Sequence, residues 1–220
     1  MTPQSCRRPR LITPLATCRR DAKWNTIYLH AGGKFQSHCA NILAKIIAAV
    51  RAADALEPSM QLLVRKQERD VGVRCVEYHQ VQLSGALPEH THMDRGSLVT
   101  VDILLSAPGI DFEGGEFGTL ESDGQLLTHQ FGGRDRPGDA LLFVSHKYHC
   151  VQPVVKGRRR VLVIELWHGP DRDCEHRCNH PQACSMKLRP EEVEAIVAAG
   201  ADSGFTESVW NGTAWETAQR

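Results

Sequence analysis

His92, Asp94 and His149 have the side chains and the spacing of a metal site. One residue separates His92 from Asp94 in HTHMDRGS, so on a strand both side chains point to the same face. An imidazole and a carboxylate supply two of the three ligands in the facial triad of non-haem iron(II) oxygenases, which leaves open positions on the metal. His149, in HKYHCVQPV beside a predicted strand end, is the predicted third ligand.

Two other histidines compete for the same role. His90 shares a strand face with His92 under the same i, i+2 spacing, which makes it the stronger rival. His146 lies close to His149 in the sequence and is the other alternative ligand. In that case His149 would be an ordinary surface histidine. We expect His90 to face the substrate or to support a ligand.

Four stretches resemble the prolyl 4-hydroxylase-like family of iron(II)/2-oxoglutarate-dependent dioxygenases over residues 24–167. They are HMDRGSLVTVDILLS, DFEGGEF, PGDALLF and HCVQPVVKGRRRVLVIELW. The last is the most specific, because in this family the distal metal histidine opens an H-x-V-x-P-V-x-x-G pattern that ends in a basic residue on the last core strand. The matching residues are His149, Val151, Pro153, Val154, Gly157 and the basic Arg159.

This resemblance implies iron(II) held by His92, Asp94 and His149, and 2-oxoglutarate held by Arg159, with ascorbate as a candidate reductant. It also implies hydroxylation of a peptidyl substrate (prolyl or lysyl type) or a small molecule with dioxygen, releasing succinate and CO2. A guanidinium suits the far carboxylate of 2-oxoglutarate, because an unpaired anion in a partly buried barrel is costly. The alternative function is a catalytically degenerate jelly-roll binding module.

Register alone does not select Arg159 over its neighbours. Arg158 and Arg160 flank it, and strand alternation sends both to the opposite face. The family spacing selects Arg159. The chain departs from the family at two positions. Relatives often carry a tyrosine where this chain has Gln82, and a second hydroxyl for the 2-oxoglutarate carboxylate where it has Leu104. Thr100 and Tyr78 are the candidates to supply that hydroxyl instead.

Short strands without intervening helices must position these residues. The predicted strands are 71–83, 98–106, 125–131, 140–146, 151–155 and 159–167, which favour an antiparallel sandwich or barrel. The predicted fold class is mainly β with flanking helices (α+β), with a double-stranded β-helix (jelly-roll) core. Apolar residues at helical spacing predict an N-terminal buttressing helix over 37–55, with Ser37 as its N-cap and Pro58 as its stop.

The predicted domain organisation has three parts. Residues 1–23 form a basic leader, Arg-rich and without an acid in its first twenty residues, predicted to be a disordered arm. An organelle transit peptide is the alternative. Residues 24–168 form the dioxygenase domain. Residues 169–220 form a Cys/His-rich loop and a helix over 189–200, packed on the core.

The motif CEHRCNHPQAC leaves three interpretations open. Its thiols and imidazoles could bind structural zinc, but the C-x3-C-x5-C spacing matches none of the paired C-x2-C patterns. A disulfide suits an oxidising compartment, and ordinary loop residues are the third interpretation. The residues are Cys174, His176, Cys178, His180 and Cys184.

Charge and hydropathy limit the classes of partner that we expect. Among 220 residues, 26 are Lys or Arg and 26 are Asp or Glu, so the net charge is zero and neither bulk nucleic acid nor an anionic membrane is an expected partner. No apolar run approaches the length of a membrane-spanning helix, so we expect no membrane insertion. A soluble, cytoplasmic protein is the default expectation, with organelle targeting by the leader as the alternative.

Overall fold

The computed structural model describes residues 17–21, 23–58, 60–63, 71–131 and 136–178, and a few later positions. Those positions are 184, 191, 194, 198, 208–210 and 215–217. The chain divides into two compact units, residues 1–181 and 182–220. Each unit is described by itself.

Within the described residues, the first unit contains twelve strands and two α-helices. The strands are β1 Thr17–Asp21, β2 Trp24–Tyr28, β3 Val71–Val81, β4 Leu87–His92, β5 Val99–Leu104, β6 Phe112–Gly114, β7 Phe117–Leu120, β8 Leu126–His129, β9 Ala140–Val144, β10 His149–Val151, β11 Val154–Gly157 and β12 Arg159–His168. The helices are α1 Lys34–His38 and α2 Ala40–Leu56, preceded by a 3-10 turn at Ala31–Gly33.

Antiparallel pairing arranges these strands into two main sheets. The larger has the order β1-β2-β3-β12-β5-β9, and the smaller has the order β4-β10-β7-β8. The strands β6 and β11 pair in a separate ribbon. These mixed connections between sheets are those of a jelly roll, so the predicted fold class is confirmed.

The strand β12 lies in the middle of the larger sheet and separates two apolar cores. Val161 and Val163 join the core on the inner side, towards the smaller sheet, with Phe117 and Val151. Leu162, Ile164 and Leu166 join the other core, with residues of both helices. Alternation along a strand produces this division, because successive side chains point to opposite faces.

A β-bulge interrupts this alternation on β3. Glu165 pairs with Cys75 and Leu166 pairs with Val73, so one extra residue, Arg74, lies between the two partners. Such an extra residue redirects the side chains beside it. Arg74 is consequently buried and its Nη1 donates to Glu165 Oε2 at 2.9 Å.

The predicted buttressing helix is present, but it begins differently. The helix α1 ends at His38, and α2 starts at Ala40 after a break at Cys39, where φ is −121°. Ser37 lies inside α1 and its Oγ donates to the Lys34 carbonyl, so its prediction as an N-cap was wrong. The other end agrees with the prediction, since α2 ends at Leu56, just before Pro58.

Several strands were not predicted, because they are short or lack alternating apolar residues. These are β1, β2, β4, β6 and β7. The strand β1 lies within the predicted leader and pairs with β2, whereas residues 1–16 are outside the described part. The predicted boundaries of the three domains stay predictions.

In the second unit, the strands β13 Ser208–Trp210 and β14 Trp215–Thr217 form an antiparallel hairpin. Glu191, Glu194 and Ala198 have helical backbone, and the rest of the predicted helix over 189–200 is outside the described residues. Across the described parts of both units, no helix is both long enough and apolar enough to cross a membrane.

Candidate active site

Two neighbouring strands of the smaller sheet bring His92 and His149 together. His92 is the last residue of β4, His149 is the first residue of β10, and the two are direct partners in the antiparallel register. Directly opposed residues on one face have closely spaced side chains. The two imidazole rings accordingly lie 4.9 Å apart, edge to face.

Asp94 completes the cluster from the turn after β4. Its backbone N–H donates to the Ser145 carbonyl at 2.9 Å, which fixes the turn. Asp94 Oδ1 lies 3.4 Å from His92 Nε2, and Asp94 Oδ2 lies 3.9 Å from His149 Nε2. The potential ligand atoms of His92, Asp94 and His149 all lie within 4.8 Å of one another.

Hydrogen bonds orient the ligand side chains. The Lys147 carbonyl can only accept, so its 3.0 Å contact with His149 Nδ1 places a proton on that nitrogen. His149 Nε2 is then the nitrogen that can bind a metal, the usual arrangement of a metal-binding histidine. Thr100 Oγ1 donates to Asp94 Oδ2 at 2.9 Å, and Arg177 Nη1 donates to Asp94 Oδ1 at 3.1 Å.

The protonation states suit metal binding. Burial alone would raise the pKa of Asp94, but the hydrogen bond with His92 and the charge of Arg177 outweigh it and lower the pKa to about 2. Burial lowers the pKa of His149, although the Asp94 carboxylate partly opposes this effect. At neutral pH the site therefore has an ionised carboxylate and a neutral imidazole, the forms that bind a cation.

Aromatic side chains cover one side of the cluster. The Phe117 ring stacks on His149 at 5.4 Å between centroids, and the Phe143 ring lies 5.0 Å away. Apolar cover reduces the access of solvent to a metal site and lowers the local dielectric constant.

Arg159 points into the same interior from β12. It is 2% exposed, and its Nη2 has no hydrogen-bond partner among the described residues. Its guanidinium lies over the Phe131 ring at 5.6 Å. By contrast, Arg158 is exposed and Arg160 is half-buried. A buried guanidinium nitrogen without a partner is costly, which indicates a place for an anion.

Gly115, in the DFEGGEF motif, makes room for this arginine. Its φ is +71°, and a Cβ at this position would lie 2.9 Å from Arg159 Cδ and 3.1 Å from Val154 Cγ2. Any other residue would meet the arginine side chain in a strained backbone conformation. The DFEGGEF motif therefore shapes the space around Arg159.

Asp102 is a second charged residue on the inner face. Burial raises its pKa to about 6, although the charge of Arg159 opposes this effect. It pairs in register with Val163 and lines the same inner cavity as Arg159. A single charged residue inside the apolar stretch LVTVDILLS was the sequence signal that could have identified it.

Arg177 was not anticipated from the sequence. Its Nε donates to Glu77 Oε1 at 3.0 Å and its Nη2 lies 2.9 Å from Glu165 Oε1, in addition to its bond with Asp94. Glu77 also accepts from His79 Nε2 at 2.7 Å. The residue lies in a segment without periodicity, and no local signal distinguishes it from the other arginines.

The rival residues are placed elsewhere. His90 and His146 are exposed and do not belong to the clustered ligand atoms. The Thr100 hydroxyl donates to the Asp94 carboxylate, whereas on the basis of the sequence it was a candidate contact for the 2-oxoglutarate carboxylate. Leu104 belongs to the inner apolar core and Tyr78 is half-buried on β3.

Two adjoining cavities open on the cluster. The inner one, about 50 Å³, is lined by all three triad residues with Asp102, Arg159 and Arg177. The outer one, about 330 Å³, is lined by Trp24, Tyr28, Glu77 and Glu89 among others. Both are lined by Trp24, His79, Leu87, His92 and Arg177, so the inner cavity opens into the outer one.

The donor set fits iron(II), and the orphaned guanidinium nitrogen fits a carboxylate. Two imidazoles and one carboxylate on one side of a cavity are the ligands of a facial triad. Arg159 in the same cavity offers charge-assisted hydrogen bonds to an anion.

Comparison with known proteins finds likeness at the level of structure only. No protein-family model matches the sequence, and no curated protein matches it. A 2OG-Fe(II) oxygenase family oxidoreductase from Burkholderia pseudomallei is 14% identical with a TM-score of 0.47, over 74% of this chain and 73% of that one. A Pseudomonas putida prolyl-4-hydroxylase is 16% identical with a TM-score of 0.49, over 69% and 77%.

A third solved structure is viral collagen prolyl hydroxylase from Paramecium Bursaria Chlorella virus-1 in complex with 2OG. It is 14% identical with a TM-score of 0.45, over 66% of this chain and 79% of that one. At this degree of identity and overlap, the function of the chain has to be inferred from the side chains of its own site.

Proposed function

We propose that this chain is an iron(II)- and 2-oxoglutarate-dependent oxygenase of the prolyl 4-hydroxylase-like family. One observation carries the proposal: a His-Asp-His cluster and a buried arginine with an unpartnered nitrogen line the same cavity. A cation site and an anion site side by side suit a metal and a chelating dicarboxylate.

Each site residue has a distinct role in this proposal. His92, Asp94 and His149 would hold iron(II), and Arg159 would hold the far carboxylate of 2-oxoglutarate. When bound, the iron supplies oxidation of a substrate C–H bond by dioxygen, coupled to conversion of 2-oxoglutarate to succinate and CO2. Ascorbate is the candidate reductant that keeps the iron in its ferrous state.

The surrounding residues orient and protect the ligands. Thr100 and Arg177 hold the two oxygens of Asp94, and the Lys147 carbonyl fixes the His149 tautomer. Phe117 and Phe143 limit water beside His149. Because these contacts come from the chain itself, they would hold the ligand side chains in the orientation that a metal needs.

The outer cavity is the proposed entrance for the substrate. Its volume of about 330 Å³ is at the lower end of ligand pockets. A prolyl or lysyl side chain of a peptide, or a small molecule, would reach the triad through this cavity, with Trp24 and Tyr28 on its wall.

Anaerobic titration tests the proposal without a known substrate. The protein is loaded with iron(II) and titrated with 2-oxoglutarate while the visible spectrum is recorded. We expect a saturable metal-to-ligand charge-transfer band, because the 2-oxo acid chelates the metal. The Arg159→Ala variant should weaken this titration by at least about tenfold, since hydrogen bonds to charged groups contribute about 1.5–3 kcal/mol.

The matched control is Arg158→Ala, which removes the same charge from an exposed neighbour and should leave the titration unchanged. The binding-module alternative predicts a folded protein that holds iron but develops no band with 2-oxoglutarate. Equal weakening in Arg158→Ala and Arg159→Ala would contradict the assignment of Arg159.

A further inference from the structure

We propose that Cys174, His176 and Cys178 bind a structural zinc ion, at a second metal site separate from the candidate active site. The potential ligand atoms of these three residues lie within 4.8 Å of one another. Cys174 is 1% exposed and Cys178 is 0% exposed, and His176 is half-buried. Two buried sulfur atoms beside an imidazole form the soft donor set that zinc prefers.

The segment is held in place on both sides. The Arg172 N–H donates to the Val73 carbonyl at 2.8 Å, and Arg74 Nε donates to the Cys178 carbonyl at 2.7 Å. On the side of the first helix, the Gly32 N–H donates to the Asp173 carbonyl at 2.8 Å. These bonds fix the backbone on either side of the three ligands.

A contact behind His176 supports the same arrangement. His30 is fully buried, and its Nε2 lies 3.3 Å from the His176 carbonyl while its Nδ1 lies 3.0 Å from the Val76 nitrogen. The backbone of the middle ligand is therefore tied to β3 through another side chain.

The two metal sites differ in donor chemistry. The candidate active site offers nitrogen and oxygen atoms, which suit iron(II), whereas this site offers sulfur and nitrogen atoms. A tetrahedral structural zinc ion takes four ligands, and the three residues supply all but one.

A zinc ion here would act on the candidate active site through Arg177. This residue lies between two of the proposed ligands in the sequence, and its guanidinium reaches Asp94 and Glu77. Zinc would hold the backbone of this segment, which would make Arg177 a better-defined partner of the Asp94 carboxylate. Arg177 is in this sense a positioning residue.

Metal analysis of the whole chain tests the proposal. We expect protein purified from zinc-supplemented medium to retain about one zinc ion per chain after dialysis against a weak chelator. The His92→Ala variant should retain the zinc, because it alters only the iron site. The Cys174→Ser and Cys178→Ser variants should lose it, and the control Cys39→Ser should keep it, since Cys39 lies outside the cluster.

Cobalt substitution gives a readout that does not depend on the folding of variants. Wild-type protein loaded with cobalt(II) should show a near-ultraviolet thiolate-to-metal band and the intense visible bands of a tetrahedral ion. The His-Asp-His site has no sulfur ligand and cannot produce the thiolate band.

Three results would overturn the zinc site. They are wild-type protein without zinc and without the cobalt thiolate band, zinc that is lost in His92→Ala, and a disulfide between these cysteines shown by mass spectrometry of unreduced protein. None of them would affect the charge-transfer titration, so the two proposals fail separately.

Discussion

The two faces of β12 differ in what they bury. The face towards the helices is apolar, with Leu162, Ile164 and Leu166 packed among valines and leucines. The inner face carries Val161 and Val163 but also Arg159 and Glu165, both of them buried. Glu77 and Asp102 on the neighbouring strands, and Asp94 in the turn after β4, add further buried charges to this interior.

This difference separates stability from function. Apolar burial stabilises the fold by about 25 cal/mol for each Å² removed from water. Buried charges cost free energy unless they are paired, and replacing them with apolar residues often stabilises a protein. The helix-facing core stabilises the fold, whereas the charged interior holds the residues of the proposed iron and 2-oxoglutarate sites.

The largest expected effect is the loss of iron binding in His149→Ala. Removing one of three ligands eliminates the donor whose orientation Lys147 fixes. We expect no charge-transfer band with 2-oxoglutarate and no turnover, while the circular dichroism spectrum stays that of the wild type. The exposed His146→Ala is the matched control, and normal iron content in His149→Ala would refute the ligand assignment.

On the helix-facing side, Ile164→Ala should lower stability instead. Ile164 is completely buried, and truncation of such a residue costs about 2–5 kcal/mol. Urea unfolding measures the loss, and the folded variant should bind iron with wild-type affinity. Val155→Ala, at an exposed position, should change the unfolding midpoint little. Weakened iron binding by Ile164→Ala would contradict the separation of the two faces.

Arg177→Met tests the charges of the inner face. The variant leaves Glu77, Asp94 and Glu165 without their shared cation, which should cost about 3 kcal/mol, the lower end for a buried pair because Arg177 is partly exposed. Urea unfolding of the metal-free protein measures this loss. Lys156→Met, which breaks the exposed pair with Glu113, should have little effect. Addition of iron(II) should recover part of the stability, because the metal also neutralises Asp94.

The smallest expected effect is a change in the pH dependence of stability in Glu77→Gln. Burial alone would raise the pKa of Glu77, but the hydrogen bond from His79 and the charge of Arg177 outweigh it and lower the pKa below its usual range. The ionised form therefore favours the folded state above the unfolded pKa of about 4.3, and this contribution is lost as the pH falls further. The free energy of unfolding, measured with urea at a series of acid pH values, should fall less steeply with decreasing pH in the variant than in the wild type. An unchanged slope would contradict a role for Glu77.

The sequence predicted the fold where the local pattern and the tertiary environment agree. Strands rich in Val, Ile and Leu, such as 159–167, were identified because both of their faces are buried. The strand β4 was harder, because LPEHTH is largely exposed and mostly polar. The start of α2 was mistaken because Ser37 belongs to a separate short helix before the break at Cys39.

The candidate site was predicted in part. Spacing and resemblance selected His92, Asp94, His149 and Arg159, and these residues line one cavity. Asp102, Glu77 and Arg177 were not predicted, because their significance depends on strands and loops that are distant in sequence. Arg177 contacts Asp94 across 83 positions of the chain.

The sequence by itself determined the ligand types and the alternation that separates an apolar face of a strand from a mixed one. These are local properties, because side-chain chemistry and the two-residue period of a strand need no distant partner. Tertiary structure alone decided which face of β12 is inside, that His92 and His149 are direct partners across two strands, and that Arg177 reaches Asp94. These depend on register, a bulge and a returning loop, and such long-range contacts leave no mark in a local sequence pattern.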